Sequence, residues 1–296
     1  MTAVLEFLKA VLYGIVEGIT EWLPVSSTGH LILLQEWMPF AFAKDSALLA
    51  EFGEMFEVVI QLGAILAVGV LFCHKLWPFS PQKSKVEKRE TWDLWLKVVI
   101  ASVPAAAMGI LGDKLIEKLT GKDIDGWIYN ATVVAIALIA YGVAFIVIEK
   151  FHNPQRIRVE TVADITYKNA FFVGLFQMLS MVPGTSRSGS TILGSMLMGL
   201  SRPAAAEFSF FMAIPVMVGA SGIKVLGFFS FLGETGTSVP TIAWGILALA
   251  CAVSFAVSMI AIRFLTDFVK RHSFVPFGVY RIVLGIFVIL YFLLIK

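Results

Sequence analysis

Two segments of this chain set a helix-breaking proline and a run of hydroxyl residues inside sequence otherwise apolar enough for a bilayer. They are EGITEWLPVSSTGH at 17–30 and PGTSRSGST at 183–191. Lipid satisfies no backbone N–H or C=O, so the groups released around Pro24 and Pro183 must line protein or a water-filled cavity. Ionisable side chains at membrane depth are costly and occur mainly where a site is built. Both segments are therefore candidates for the functional centre.

The rest of the sequence agrees with a membrane setting. Of 296 residues, 58% are hydrophobic and 15% charged, with a mean hydropathy of +0.85, which excludes an ordinary soluble domain. The net charge of +2 gives no reason to expect a nucleic-acid partner. Cys73 and Cys251 lie in apolar runs without metal-site or disulfide spacing and read as membrane packing residues. Glu6 and Lys9, followed by Glu17 and Glu21, argue against a removable signal peptide.

Spans long enough to cross a bilayer are expected at 55–73, 127–148, 203–223, 241–262 and 274–295. A weaker one at 94–112 contains Lys97 and Pro104 and makes six. Basic residues fall in the loops 74–93 and 149–168, including Lys83, Lys88, Arg89, Arg156 and Arg158, which the positive-inside rule places in the cytoplasm. Asp113–Gly126 and both termini are then outside, and Lys270 and Arg271 inside. Segments 1–50 and 169–200 remain as hydrophobic stretches that do not cross. Each is split by its proline into pieces of half-membrane length, so each is expected to enter, turn and leave on one side, the first from outside and the second from inside.

The sequence also repeats itself. Pro24 with Ser26, Ser27 and Gly29 echoes Pro183 with Thr185, Ser186 and, one position late, Gly189, an offset of 159; Glu57 and Gly69 echo Glu207 and Gly219 at an offset of 150. A half with three crossings must be followed by a copy facing the other way. The expected fold is an all-α polytopic membrane protein. It forms one domain, residues 1–296, built of two inverted repeats, 1–150 and 151–296, with sites at their interface.

Glu17 and Glu21, four residues apart, share a helix face. Two like charges in an apolar setting need a divalent cation, an arginine or a proton on one carboxyl; both facing water at a shallow position is the alternative. Ser26, Ser27 and Thr28 exceed what one helix cap requires and suit an anion at a helix N-terminus, although one of them is expected to cap. His30 stands beside them, either as part of the site or as a satisfied helix histidine. In the second segment Arg187 sits among Thr185, Ser186 and Ser188, where a guanidinium fork fits phosphate better than it fits a snorkelling role. Arg202, Arg263 and Arg281, near cytoplasmic ends of spans, read as snorkelling anchors. Glu57 and Glu207 line a cavity or form buried pairs, without a catalytic part.

With Glu17, Glu21, PVSSTGH at 24–30 and PGTSRSG at 183–189, the chain resembles, over essentially its whole length, the bacterial undecaprenyl-pyrophosphate phosphatase family associated with bacitracin resistance. The resemblance implies hydrolysis of a C55 lipid diphosphate to the monophosphate carrier used in peptidoglycan synthesis, within the bacterial cytoplasmic membrane. It maps the family's acidic motif to Glu17 and Glu21, its hydroxyl and histidine group to Ser26, Ser27 and His30, and its arginine to Arg187. On that basis Glu21, Ser27, His30 and Arg187 are expected catalytic residues, and Ser26, Thr28, Thr185, Ser186 and Ser188 substrate-binding ones. Ser27 is the preferred nucleophile with Glu21 or His30 as base; direct water attack and a His30 nucleophile stay open. Glu17 and Glu21 are the expected ligands of a Mg²⁺ or Ca²⁺ ion. The polyprenyl diphosphate and the bilayer are the expected partners, a homodimer is open, and the site is expected to face the outer side. The rival reading is a flippase for polyprenyl phosphate, alone or alongside hydrolysis, since inverted repeats with broken helices also build transporters.

Overall fold

The computed structural model describes residues 2–112, 130–151 and 157–294. The loop Asp113–Gly126 and the basic loop's Arg156 lie outside the described residues. Apart from an isolated bridge between Val159 and Leu200, regular structure among the described residues is all helical. In chain order the helices are α1 (Thr2–Thr20), α2 (Ser27–Trp37), α3 (Ser46–Leu71), the single turn α4 (Cys73–Leu76), α5 (Lys85–Ala107), α6 (Ala131–Phe151), α7 (Tyr167–Met178), α8 (Arg187–Leu197), α9 (Arg202–Thr235), α10 (Thr241–Arg271) and α11 (Val275–Leu294).

Helices α3, α6, α9, α10 and α11 are long and apolar enough to cross a membrane, so the chain is a multi-pass membrane protein. Helix α3 starts at Ser46, ahead of the expected 55, because the Asp45 carboxylate accepts from the Ala47 and Leu48 N–H groups at 2.9 and 3.2 Å. Helix α5 is opened by a capping box between Ser84 and Glu87 and continues past Pro104 into a π-helical turn, Met108–Gly112. Its Lys97 is neutralised by Asp93 at 2.6 Å and donates to the Ala163 carbonyl at 3.3 Å.

The two proline segments form helix–turn–helix units. The first is α1, a turn at 21–25 and α2; the second is α7, a 3₁₀ turn at Leu179–Met181, the bend at 182–186 and α8. Half-membrane length suits α2, α7 and α8, with 11, 12 and 11 residues. It does not suit α1, whose 19 residues reach about 28 Å. Apolar residues fill so much of 2–20 that the helix runs unbroken into the motif and ends at Thr20, four residues before Pro24.

These units are inserted between the long helices. Helix α1 packs on α10 and α7 on α5, while α3 lies against α9 and α10, and α6 against α11. Backbones approach closely where the first arm of each unit crosses its partner. A Cβ at Gly14 would stand 2.6 Å from the Ala250 carbonyl oxygen, and one at Gly174 only 2.3 Å from that of Ala101. Small residues at a crossing allow this approach, which supplies dispersion where lipid supplies no hydrophobic drive. Cys251 is half-buried near the Val59 carbonyl, as expected of a packing residue; Cys73, expected to be the same, is exposed on α4. Arg263 is exposed, as an anchor would be. Arg202 instead forms a bidentate pair with the buried Glu149, at 2.6 to 3.1 Å, and so ties α9 to α6 rather than only reaching for the interface.

Gly174→Ala should therefore destabilise the protein by about 1–3 kcal/mol through overpacking. Gly222→Ala, on a part of α9 where nothing lies within 4 Å of the new methyl, should not. Thermal unfolding of the purified variants in detergent, compared with wild type, checks the contrast.

Candidate active site

Each unit turns on a serine. Ser26 has φ 74° and ψ 99° and caps α2, its Oγ accepting from the Gly29 N–H at 3.3 Å; Ser186 has φ 72° and ψ 125° and caps α8, its Oγ accepting from the Gly189 N–H at 3.1 Å. They are the non-glycine residues with positive φ among the described residues. Such backbone costs about 1–3 kcal/mol per residue and persists only where the surroundings over-determine it. The matched caps set the correspondence of the two turns at 160 residues, Ser26 with Ser186 and Gly29 with Gly189, rather than the 159 suggested by the prolines. Pro24 thus corresponds to Gly184, and Pro183 comes one residue early.

The turns meet through an ion pair. Arg187, the first residue of α8, donates from Nη2 to Glu21 Oε1 at 2.9 Å and from Nη1 to the Ser209 carbonyl of α9 at 2.7 Å. The other oxygen of Glu21 accepts from the Ser27 hydroxyl at 2.9 Å. Ser188 Oγ reaches back to the Glu21 carbonyl at 3.0 Å and lies 3.1 Å from Ser186 Oγ. Glu21, Ser27, Ser186, Arg187 and Ser188 are thus brought together across 166 residues of sequence separation. The guanidinium also lies 5.9 Å from the centre of the Trp22 ring, which is fully buried and edge-on to Phe210.

Glu17 has no exposed surface, and neither of its carboxylate oxygens has a hydrogen-bond partner among the described protein groups. Glu21 follows one turn later, its N–H donating to the Glu17 carbonyl at 3.0 Å, and its charge acts on Glu17. The shallow, water-facing alternative for this pair is therefore excluded. Among the described residues no three His, Cys, Asp or Glu side chains converge as a metal site, so an ion held by Glu17 and Glu21 needs further oxygens from its ligand. Orphaned buried oxygens beside a second carboxylate are nevertheless what a hard cation fits.

His30 bonds to groups other than the Glu21–Arg187 pair. Its Nδ1 lies 2.7 Å from the Ser26 carbonyl, where only an N–H makes a bond, which leaves Nε2 to accept from the Tyr280 hydroxyl at 2.7 Å. Thr185 is buried and offers its carbonyl, and Thr28 is half-buried on the first turn of α2. Glu207 pairs with Lys75 at 2.6 Å. Glu57 lines a cavity of about 840 Å³, with Tyr13, Gln35, Glu54 and Lys224, and its charge reaches Glu17.

The sequence reading missed Ser209, Tyr280 and Arg281. Nothing separates Ser209 from the other hydroxyls of apolar helices. Arg281 carried a signal, an arginine within a span, but it is not a snorkelling anchor. It has no exposed surface and donates to the carbonyls of Pro24, Gly184 and Thr185 at 3.2, 2.8 and 2.9 Å. Unpaired carbonyls at both turns offered it a better place than the interface did.

Known proteins are similar to this chain along nearly its whole length. The chain is 51% identical over 295 residues to an undecaprenyl-diphosphatase of Lactococcus lactis subsp. cremoris (strain SK11), with 97% of each protein covered. It is 49% identical over 286 residues to the protein of the same name from Streptococcus mutans serotype c, covering 97% of this chain and 96% of the relative. A third, from Enterococcus faecalis, is 50% identical over 285 residues, covering 96% and 97%. The family model described as Bacitracin resistance protein BacA matches residues 10–287. Both polar turns, with Glu17, Glu21, Ser27, Arg187 and Arg281, fall inside that match, and the chain belongs to the BacA family of bacitracin resistance proteins.

Proposed function

We propose that this chain is an integral membrane phosphatase that hydrolyses undecaprenyl diphosphate to undecaprenyl phosphate and phosphate, returning the lipid carrier to peptidoglycan synthesis and so conferring bacitracin resistance. The carrying observation is the Glu21 carboxylate, bonded on one side to Arg187 and on the other to the Ser27 hydroxyl. A base, a hydroxyl nucleophile and an anion-binding fork within one hydrogen-bonded chain are what phosphoryl transfer through a phosphoserine requires.

The diphosphate enters between the two turns while its prenyl chain stays in lipid. Its terminal phosphate takes the Arg187 fork, exchanging one anionic acceptor for another, and Glu21 is left to Ser27. Glu21 accepts the Ser27 proton as Oγ attacks the terminal phosphorus; the anhydride P–O bond breaks and the electron pair leaves with the lipid monophosphate. Glu21 passes that proton to the departing lipid monophosphate oxygen and is a carboxylate again. It then takes a proton from water as the water oxygen attacks the phosphoserine phosphorus, and returns it to Ser27 Oγ as phosphate leaves. Both ring nitrogens of His30 are occupied by Ser26 and Tyr280, which supports Glu21 over His30 as base and assigns His30 to holding the first turn. Ser26 and Ser186 shape the turns, and Thr28, Thr185 and Ser188 complete the polar wall around the phosphates. A Mg²⁺ or Ca²⁺ held by Glu17 and Glu21 would neutralise phosphate charge.

The helix–turn–helix units are read as re-entrant hairpins of two inverted repeats. The equivalent crossings of α1 on α10 and α7 on α5, and the matched capping serines, support this. The six crossings are then α3, α5, α6, α9, α10 and α11, with the first turn opening to the outer face of the cytoplasmic membrane.

Glu21→Gln keeps the side chain's shape but not its charge and should lower phosphate release from polyprenyl diphosphate by at least about 100-fold, the usual share of a general base. Arg187→Ala should abolish release with the protein still folded; wild-type turnover by either variant contradicts the assignment. Brief reaction with substrate labelled in its terminal phosphate should leave label on Ser27 and none on Ser27→Ala, and full activity of Ser27→Ala excludes the nucleophile. In whole cells, a cysteine at Lys44 in a Cys73→Ala/Cys251→Ala background should react with an impermeant maleimide and one at Lys83 should not. The reverse pattern inverts the topology.

A further inference from the structure

We propose that Arg281 is a positioning residue for the reaction, a guanidinium tie that holds the two turns in register so that Ser27, Glu21 and Arg187 stay aligned. This rests on the phosphatase reading but concerns a residue outside both motifs. Arg281 lies on α11, and its hydrogen bonds go to the backbone of the turns rather than to Glu21 or Arg187. Its Nη1 donates to the Pro24 carbonyl at 3.2 Å and its Nη2 to the Gly184 and Thr185 carbonyls at 2.8 and 2.9 Å. Pro24 and Gly184 are equivalent positions, each two residues before the positive-φ serine that caps its helix. One planar fork therefore spans the seam between the turns and bonds the same backbone group on each side.

The surroundings fit a tie better than they fit a structural ion pair. Arg281 is fully buried, and among the described residues no salt bridge joins it to a carboxylate; carbonyl dipoles and the Tyr141 ring, 5.5 Å from the guanidinium carbon, surround it instead. An ionised side chain so placed is costly. What it provides in return is geometry at the only two non-glycine positive-φ residues described, which need such over-determination to persist. Closeness is tight as well: a Cβ on Gly189 would come within 3.2 Å of Arg281 Nη1. Through Pro24 the tie bears on the segment joining Glu21 to Ser27, and through Thr185 on the residue before the Ser186–Arg187 step. A lysine keeps the charge but cannot bond both turns with a rigid fork.

The test compares wild type, Arg281→Lys and Arg281→Met, purified in detergent and assayed on polyprenyl diphosphate well below their melting temperatures. For folded Arg281→Lys we expect kcat to fall at least 10-fold with KM within about threefold of wild type, and Arg281→Met to fall no less. A kcat within twofold of wild type in either folded variant overturns the proposal, as does a loss confined to KM, which would mark charge attraction rather than alignment. Should neither variant fold, Tyr141→Leu, which removes the ring beside the guanidinium and leaves its hydrogen bonds, should lower kcat at least threefold, and an unchanged kcat sinks the idea. Wild-type hydrolysis, abolished by Glu21→Gln, is the internal control: if it fails the phosphatase reading fails, whereas if only the Arg281 variants behave like wild type, the tie alone is wrong.

Discussion

The Glu21–Arg187 pair is the contact on which the rest of the structure depends. Both side chains lie at the bends of units surrounded by apolar helices, and an isolated charge in such a place costs several kcal/mol even after relaxation. Each turn contributes the charge that neutralises the other's, so the pair favours the arrangement in which the two turns meet. This constraint explains why two segments far apart in sequence are driven to one point. It also explains why the remaining bonds at the site, from Ser27 and Ser209, serve the spare oxygens and protons of the same pair. A buried pair is weak support for stability as such; its value lies in specifying one arrangement.

The two turns share a backbone and differ in chemistry. At the correspondence set by their capping serines, Glu17 is matched by Gln177, Ser27 by Arg187 and His30 by Ser190. The shared part is the strained serine, its glycine three residues on and the close helix crossing at Gly14 or Gly174. On this common frame one turn carries acids and the Ser27 hydroxyl proposed as nucleophile, the other a cation. A symmetric pair of acidic turns would place four carboxylates around a diphosphate and repel it; a pair of basic turns would bind without a base. Dividing the roles lets one site both hold an anion and deprotonate a hydroxyl.

Much of this was legible because hydrocarbon enforces simple rules. Proline and hydroxyl runs inside apolar sequence can only be lined by protein or water, so Glu21, Ser27 and Arg187 stand out from the sequence alone. The five apolar crossings were legible for the same reason. Lengths were less so: helix propagation through 2–20 and the Asp45 cap moved boundaries that hydropathy alone cannot fix. Arg281 was misread because a span's terminal arginine and a buried one look alike in sequence; only the carbonyls left free by the distant turns distinguish them. The offset of 159 followed the prolines, which are conspicuous, whereas the folded register follows the capping serines, which carry the bend.

Electrostatics then link fold to chemistry. The N-terminal ends of α2 and α8 lie beside one another at the turns, and each contributes partial positive charge from unpaired N–H groups. Arg187 and Arg281 add two full charges within the same few residues of backbone. Against this stand Glu21, already bonded to Arg187, and Glu17, whose oxygens have no donor. The two guanidiniums and the two carboxylates balance in formal charge, so the partial charge of the helix N-termini is a positive surplus on the side where the proposed diphosphate would sit. In water such a surplus would be screened and worth little. Between apolar helices, where the effective dielectric is low, the same few charges act strongly, which suits the proposed seating of a lipid diphosphate headgroup against Ser27.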